Sequence, residues 1–465
     1  MLSFVDRLTR ATVGVAMLSV TACYNDPSPS EPPVTATLDQ ELRAAMSNWG
    51  AQLPIAQIPQ QNPALVALGR ALFFDKELSG NRDISCGTCH DPVTHGTDGL
   101  SLAIGTGGRG SGDARVLGAG RHFVPRNAPS MLNQALTFPY MFWDGRLVDR
   151  NLVSQPDSVI RILFPAGLSS ALATQVMLPV LNRTEMRGAR GDKDHLGNAN
   201  ELAEINDSEP NKVWDALMVR LLRISGYQGL FAAAYPGIPA NLLGFQHAAN
   251  AIAAFEIDAF TRTDSPFDRF LKHNGSAMSE EAKRGGLLFF GVARCASCHN
   301  GPALGGQQFA NIGIVQIGPG VGKFAPLDVG RDEHMQFPGV PQPSPFRFSF
   351  RAAPLRNVEL TAPYMHNGAY PTLETVVRHY NNADSAVRSY DVTRLDPRFR
   401  SSYHGDVATV TNVAQSLDFR LRQPLRLTVQ QQQQLVAFLK SLTDPAARDM
   451  RAITPAQVPS GLPVH

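Results

Sequence analysis

The sequence predicts helices strung between long ordered loops, arranged as two halves that repeat one plan. Three observations carry this. The pentapeptide Cys86-Gly87-Thr88-Cys89-His90 has a twin at Cys295-Ala296-Ser297-Cys298-His299. Each is preceded by apolar residues at helical spacing that end in Leu-Phe-Phe, at 72–74 and 288–290. Glycine (39) and proline (34) are abundant in the 465 residues, which favours loop between those helices.

The composition bounds the function. Hydrophobic residues make 43% and charged residues 18% of the chain, ordinary for a globular protein and enough for two or three domains. The net charge of +2 gives no reason to invoke nucleic acid or a strongly anionic surface.

The chemistry sits in the twin motifs. C-x-x-C-H is the attachment signature of haem c. Two thiols one turn apart add to the two vinyl groups of one porphyrin, and the adjacent imidazole becomes the proximal iron ligand. Half a zinc site or a disulfide are the alternatives for one such motif; two that both end in His favour haem. Of the five cysteines, four (Cys86, Cys89, Cys295, Cys298) lie in the motifs, with His90 and His299 as the iron ligands. The fifth is Cys23, so nothing remains for a structural disulfide.

In chain order, residues 1–22 read as an export signal, with Arg7 and Arg10 ahead of an apolar run over 11–20 that is short for a membrane span. Val20-Thr21-Ala22-Cys23 reads as a lipobox, making Cys23 the lipidated first residue of a periplasmic, membrane-tethered protein; an ordinary cleaved signal with an incidental Cys is the alternative. Export suits c-type haem, which is attached outside the cytoplasm. Residues 23–56 read as a tether with a helix over about 38–49, and 63–74 as the helix delivering the chain to the first motif. The glycine-rich run after His90, including Gly105, Gly107 and Gly108, reads either as backbone packed near a flat cofactor or as a mobile surface loop. A buried helix is expected over 242–260, with His247 on it as a core or surface residue rather than a ligand. Ser279 caps a helix with Glu280 and Glu281 in its first turn, and Thr428 with Gln431 forms a capping box for a helix ending near 442.

The stretches "ALGRALFFDKELSGNRDISCGTCHDP", "RNAPSMLNQ", "FWDGR", "LPVLNRTEM", "CASCHNGPAL" and "APLRNVELTAPYMHNGAYPTLETVVRHY" resemble, in content and order, the bacterial di-haem cytochrome c peroxidases and their MauG-like relatives. The resemblance spans about 64–443. It implies a mainly α fold of two cytochrome c-like haem domains with long loops, here 57–265 and 266–465. The first haem would be the peroxide site and the second an electron-transfer centre.

The resemblance also implies roles. Gln175 and Glu185 match the pair lining the distal side of the first haem. The chemistry alone asks for such a group: peroxide must lose a proton from one oxygen and gain one on the other, and one carboxyl of raised pKa serves both. A salt-bridged Glu185 is the structural alternative. Trp143 of "FWDGR" matches the tryptophan between the haems, a station for electron hopping that is also compatible with a core Trp. Gln175 follows Trp143 by 32 residues where the family pattern has about ten, so an insertion of about 22 is inferred around 151–172. The position of the family's removable distal His, sixteen after His90, is Thr106. The first haem is therefore expected to rest five-coordinate, with His122 as a lesser candidate ligand. The sixth ligand of the second haem falls fourteen residues after His366, on Tyr380, with Met365 as the alternative. A thioether raises the potential, whereas a phenolate, a hard anion, favours the oxidised iron; a Tyr380 buried in the core is the bland reading. A Ca²⁺ between the domains would take the side chain of Asn127 and the carbonyls of Thr361 and Pro363.

Three functions are thereby open. The first is a peroxidase reducing hydrogen peroxide with electrons from a small c-type cytochrome or cupredoxin. The second is a MauG-like oxidase of a protein partner. The third is a non-catalytic di-haem electron carrier.

Overall fold

The computed structural model describes residues 36–51, 53, 58–136, 140–148, 164–335 and 343–464. Contacts separate the leading segment Met1–Thr37 from Leu38–His465, and the description below concerns the latter. The export signal, Cys23 and much of the inferred insertion lie outside the described residues.

Two helix pairs repeat, and a glycine sets each. The helix Pro63–Phe74 begins with Asn62 accepting from Ala64 N and with Pro at its first position. It packs on the helix Phe245–Phe260 so closely that a Cβ on Gly69 would lie 1.9 Å from Ala251 O. In the second half Glu280–Phe290, capped by Ser279, packs on Val429–Lys440, and a Cβ on Gly285 would lie 1.9 Å from Gln434 O. Only glycine permits backbone against backbone at that distance. Four and five residues beyond each glycine stand paired rings. Phe73 meets Phe74 edge-on at 5.1 Å, and Phe289 meets Phe290 at 5.0 Å. Each pair abuts a phenylalanine of the facing helix, Phe255 or Phe438.

The expected capping box of Thr428 and Gln431 is present. The buried helix starts at Phe245 rather than 242, because Ala240–Leu242 is a separate 3₁₀ turn and Gly244 intervenes. His247 Nδ1 accepts from Gly244 N at 3.0 Å, a capping role and not a ligand's.

The fold is helix-rich, with little sheet: three antiparallel pairs of two-residue strands among the described residues. One of them, Tyr140–Met141 with Leu147–Val148, is a hairpin whose tip is Phe142-Trp143-Asp144-Gly145-Arg146.

The two ends of the unit cross over. The helix Leu38–Ser47 joins the core of the second half through Leu42 and Met46. Lys283 bonds Asp39 at 2.6 Å there, and Trp49 donates to Phe290 O at 2.9 Å. The C-terminal tail instead joins the first core through Ala447, Met450 and Val458. Arg70 donates to Ile453 O at 2.8 Å, and Ser460 donates to Asp75 at 2.7 Å. No described helix is long and apolar enough to cross a membrane.

Candidate active site

Each motif borders a mostly apolar cavity. The first motif is a single helical turn, Cys86–Cys89, closed by Ser85 N donating to the Thr88 hydroxyl. The residue between is Gly87 because a Cβ there would lie 2.5 Å from the Phe74 ring. His90 follows with its Nδ1 3.1 Å from Gly96 O, and burial holds the ring neutral by pushing its pKa down. In the second motif His299 Nδ1 lies 3.0 Å from Ala353 O, and burial pushes that imidazole down to about 4. In both rings the backbone carbonyl fixes the tautomer and leaves Nε2 as the metal-binding nitrogen. The four thiols are free, and burial pushes Cys86 and Cys295 up to about 12. Paired free thiols one turn apart, with a neutral oriented imidazole over an apolar cavity, fit a covalently attached haem in each.

The structure brings Gln175 and Glu185 together on the first cavity. Gln175 lies in the last turn of the helix Ala171–Val176, which Ser170 caps. Its Oε1 is buried with no hydrogen-bond partner among the described residues, so it faces the cavity unpaired. Glu185 sits in a wide π turn, Arg183–Arg187, a form that recurs at functional sites. Asn182 holds that turn: its Oδ1 accepts from Thr184 N and Glu185 N, while its Nδ2 donates to Glu185 Oε1 at 2.9 Å. Burial raises the Glu185 pKa, and Arg146 and Arg126 offset this in part. Neither arginine forms a salt bridge to it; both pair with Asp144.

The glycine run packs behind this turn. A Cβ on Gly105 would lie 2.0 Å from Thr184 O, and Thr106 N donates to Glu185 O at 2.8 Å. Thr106 turns its hydroxyl to Asp83 at 2.8 Å and does not line the cavity. His122 is exposed and also off the cavity.

Trp143 lines both cavities. Its Nε1–H donates to Asn127 O at 2.9 Å, and its own carbonyl accepts from Arg351 N at 2.7 Å. Tyr380 and Met365 both reach the second cavity. Tyr380 comes from the helix Leu373–Asn381; burial raises its phenol pKa, and the hydroxyl has no hydrogen-bond partner among the described residues. Asn127 Nδ2 donates to Leu100 O at 2.7 Å, its side-chain oxygen meets no donor among the described residues, and Asn127 N donates to His366 O at 2.8 Å. That contact sets Asn127 beside the segment carrying Thr361 and Pro363, whose carbonyls accept no hydrogen bond from the described residues. The donor set suits a hard cation.

Two groups on the first cavity escaped the sequence reading. Glu256 lies mid-helix with Oε2 buried and unpartnered, and burial pushes it up to about 8. His334 Nε2 lies 2.9 Å from Asp144 Oδ2. A carboxylate inside the apolar run 248–260 was the available signal for Glu256; none marked His334, which arrives from the other half of the chain.

Comparison with known proteins agrees. Residues 63–276 match the family model described as di-haem cytochrome c peroxidase. The chain is 32% identical over 318 residues to the cytochrome c551 peroxidase of Pseudomonas aeruginosa, covering 68% of this chain and 71% of that one. It is 29% identical over 352 residues to the methylamine utilization protein MauG of Methylorubrum extorquens, covering 74% and 78%. The fold is similar to the diheme peroxidase BthA from Burkholderia thailandensis, with a TM-score of 0.56 at 22% identity over 86% of this chain and 90% of that one.

Proposed function

This chain belongs to the di-haem cytochrome c peroxidase family, and from that premise we propose how its residues divide the work. It is an oxidoreductase acting on peroxide, with two covalently bound haems c and electrons drawn from a small cytochrome or cupredoxin. The haems, when attached, supply the iron at which peroxide is reduced and the route by which electrons arrive.

The observation that carries the division is the company Trp143 keeps. One cavity it lines holds Gln175 and Glu185; the other holds neither. The first cavity is therefore the peroxide site, in a haem domain over 57–265 held by Cys86, Cys89 and His90. Glu185 takes the proton from one peroxide oxygen and returns it to the other as water leaves. Its raised pKa, a consequence of burial, moves it toward serving both as base and as acid. Gln175, with an unpaired oxygen in the same cavity, orients the substrate. The domain over 266–465, with Cys295, Cys298 and His299, receives electrons, and Trp143 carries them across. A Ca²⁺ on Asn127, Thr361 and Pro363 would fix Asn127 and, through its carbonyl, the indole. Cys23 would anchor the protein to a periplasmic membrane face.

Tyr380 supports a second reading. If its phenol ligates the second haem, that centre favours the oxidised state and suits oxidation of a protein partner. An absorption spectrum showing thioether ligation would count against it.

The test of the first reading is Glu185→Gln. Turnover should collapse with haem content unchanged; wild-type peroxidase rates in that variant would refute the assignment.

A further inference from the structure

The strap 418–427 borders the second cavity, with some of its side chains lining it and others exposed. Leu421, Leu425 and Leu427 point in and line the cavity. Phe419, Arg422 and Arg426 are exposed, Phe419 at 75% of its surface. Arg420 lies along the rim, paired with Asp418 at 2.8 Å and within 3.5 Å of Ser297 O, inside the second motif. On the motif side stand exposed Arg294, which also lines the cavity, and Val292 at 70% exposure.

The charge of this rim is one-sided. Arg294, Arg422 and Arg426 have no carboxylate partner among the described residues, and the one acid on the strap, Asp418, is neutralised by Arg420. The whole chain carries only +2, so the rim is not a sample of a generally basic protein. Exposed apolar side chains ringed by unpaired like charges, at the edge of a redox cavity, form a surface suited to brief docking: apolar contact brings the centres close, and charge steers the encounter.

We propose that this face is where the electron donor docks, and that the donor is a small redox protein whose exposed centre is ringed by carboxylates. The proposal rests on the peroxidase reading above. Each encounter oxidises the carrier by one electron. Two encounters, with two protons from water, convert one hydrogen peroxide to two waters.

The test is stopped-flow reduction of the oxidised holoprotein by two pre-reduced small c-type cytochromes, one acidic and one basic, across ionic strength. The acidic carrier should react faster at low salt by about tenfold or more, and salt should erase the advantage. Arg422→Glu with Arg426→Glu should cost about tenfold with the acidic carrier at low salt. Phe419→Ser should slow it at high salt as well. Reduction by dithionite should be the same in every variant. A faster basic carrier, a charge-reversed variant at wild-type rate, or light scattering that shows a dimer broken by Phe419→Ser would overturn the proposal. If dithionite-reduced protein consumes peroxide while neither carrier is preferred, the docking face falls and the peroxidase reading stands. If that protein leaves peroxide untouched, both fall.

Discussion

The indole N–H of Trp143 is bonded to the main-chain carbonyl of Asn127 at 2.9 Å, and that bond fixes the one aromatic ring shared by both cavities among the described residues. The ring sits at a hairpin tip, where only short local strands would otherwise hold it. Arg351 N on the Trp143 carbonyl supplies the second restraint.

Trp143→Phe keeps an aromatic ring but leaves the Asn127 carbonyl without its donor. The expected cost is about 1–3 kcal/mol of stability, read by denaturant titration. Electron arrival at the second haem should be unchanged. Turnover with a protein donor should fall by about tenfold or more, equivalent to only ~1.4 kcal/mol on the barrier. Equal turnover would remove Trp143 from the path.

Glu185 must be ionised to accept the first proton, and burial raises its pKa. The value of kcat/KM for peroxide should therefore rise with pH through a limb displaced upward from an ordinary glutamate. Glu185→Asp should retain a limb. Glu185→Gln should abolish it, with a loss of about 10²–10⁴-fold. A limb that survives in the Gln variant belongs to another group.

Glu256 offers a stability test with the opposite sign from most carboxylates. The folded protein keeps its proton to about pH 8, while an unburied glutamate releases it near 4.5. Stability should thus be full below pH 4.5, fall as pH rises to about 8, and level off above. Glu256→Gln should flatten that fall and stabilise the protein above pH 8 by an amount on the order of a few kcal/mol. Parallel stability-against-pH curves for the two proteins would show the buried carboxyl to be solvated.

Arg126 ties three segments together, at 2.5 Å to Asp144 of the hairpin tip and 2.7 Å to Asp328 of the second half. Burial alone would raise both aspartates; Arg126, together with Arg146 and His334 at Asp144 and the Gly330 N–H at Asp328, holds them below the usual range. Arg126→Met should cost about 3–5 kcal/mol near neutrality, since two buried carboxylates lose their shared cation. These depressed groups stabilise above the ordinary aspartate pKa of 3.8, and that contribution is lost as pH falls through their folded values. The penalty should therefore shrink in acid; a penalty independent of pH would mean packing, not charge, is what the variant removes.

Much of this was legible locally. Leu-Phe-Phe stands ahead of each C-x-x-C-H, at 72–74 and 288–290, so the repeated plan could be read before either partner helix was known. The caps at Ser279 and Thr428 were legible because a cap is written within four residues. What failed was whatever depended on a distant partner. The helix over 38–49 was read correctly as a helix, yet nothing in it says that Leu42 and Met46 belong to the core of the second half. Gly105 was recognisable as a backbone requirement, but nothing local named the carbonyl of Thr184 as what it packs against. The Gln175–Glu185 pair became legible only through its motif context, and His334 had no signal at all, since the segment that carries it meets Asp144 across 190 residues of chain.

The most direct measurement is stopped-flow absorption of the holoprotein mixed with hydrogen peroxide, beside Glu185→Gln. The expected result is a rapid spectral change in the wild type that the variant slows by orders of magnitude, with both proteins carrying two haems. A wild-type spectrum indifferent to peroxide, or one that changes equally fast in both, would contradict a peroxide site built around Glu185.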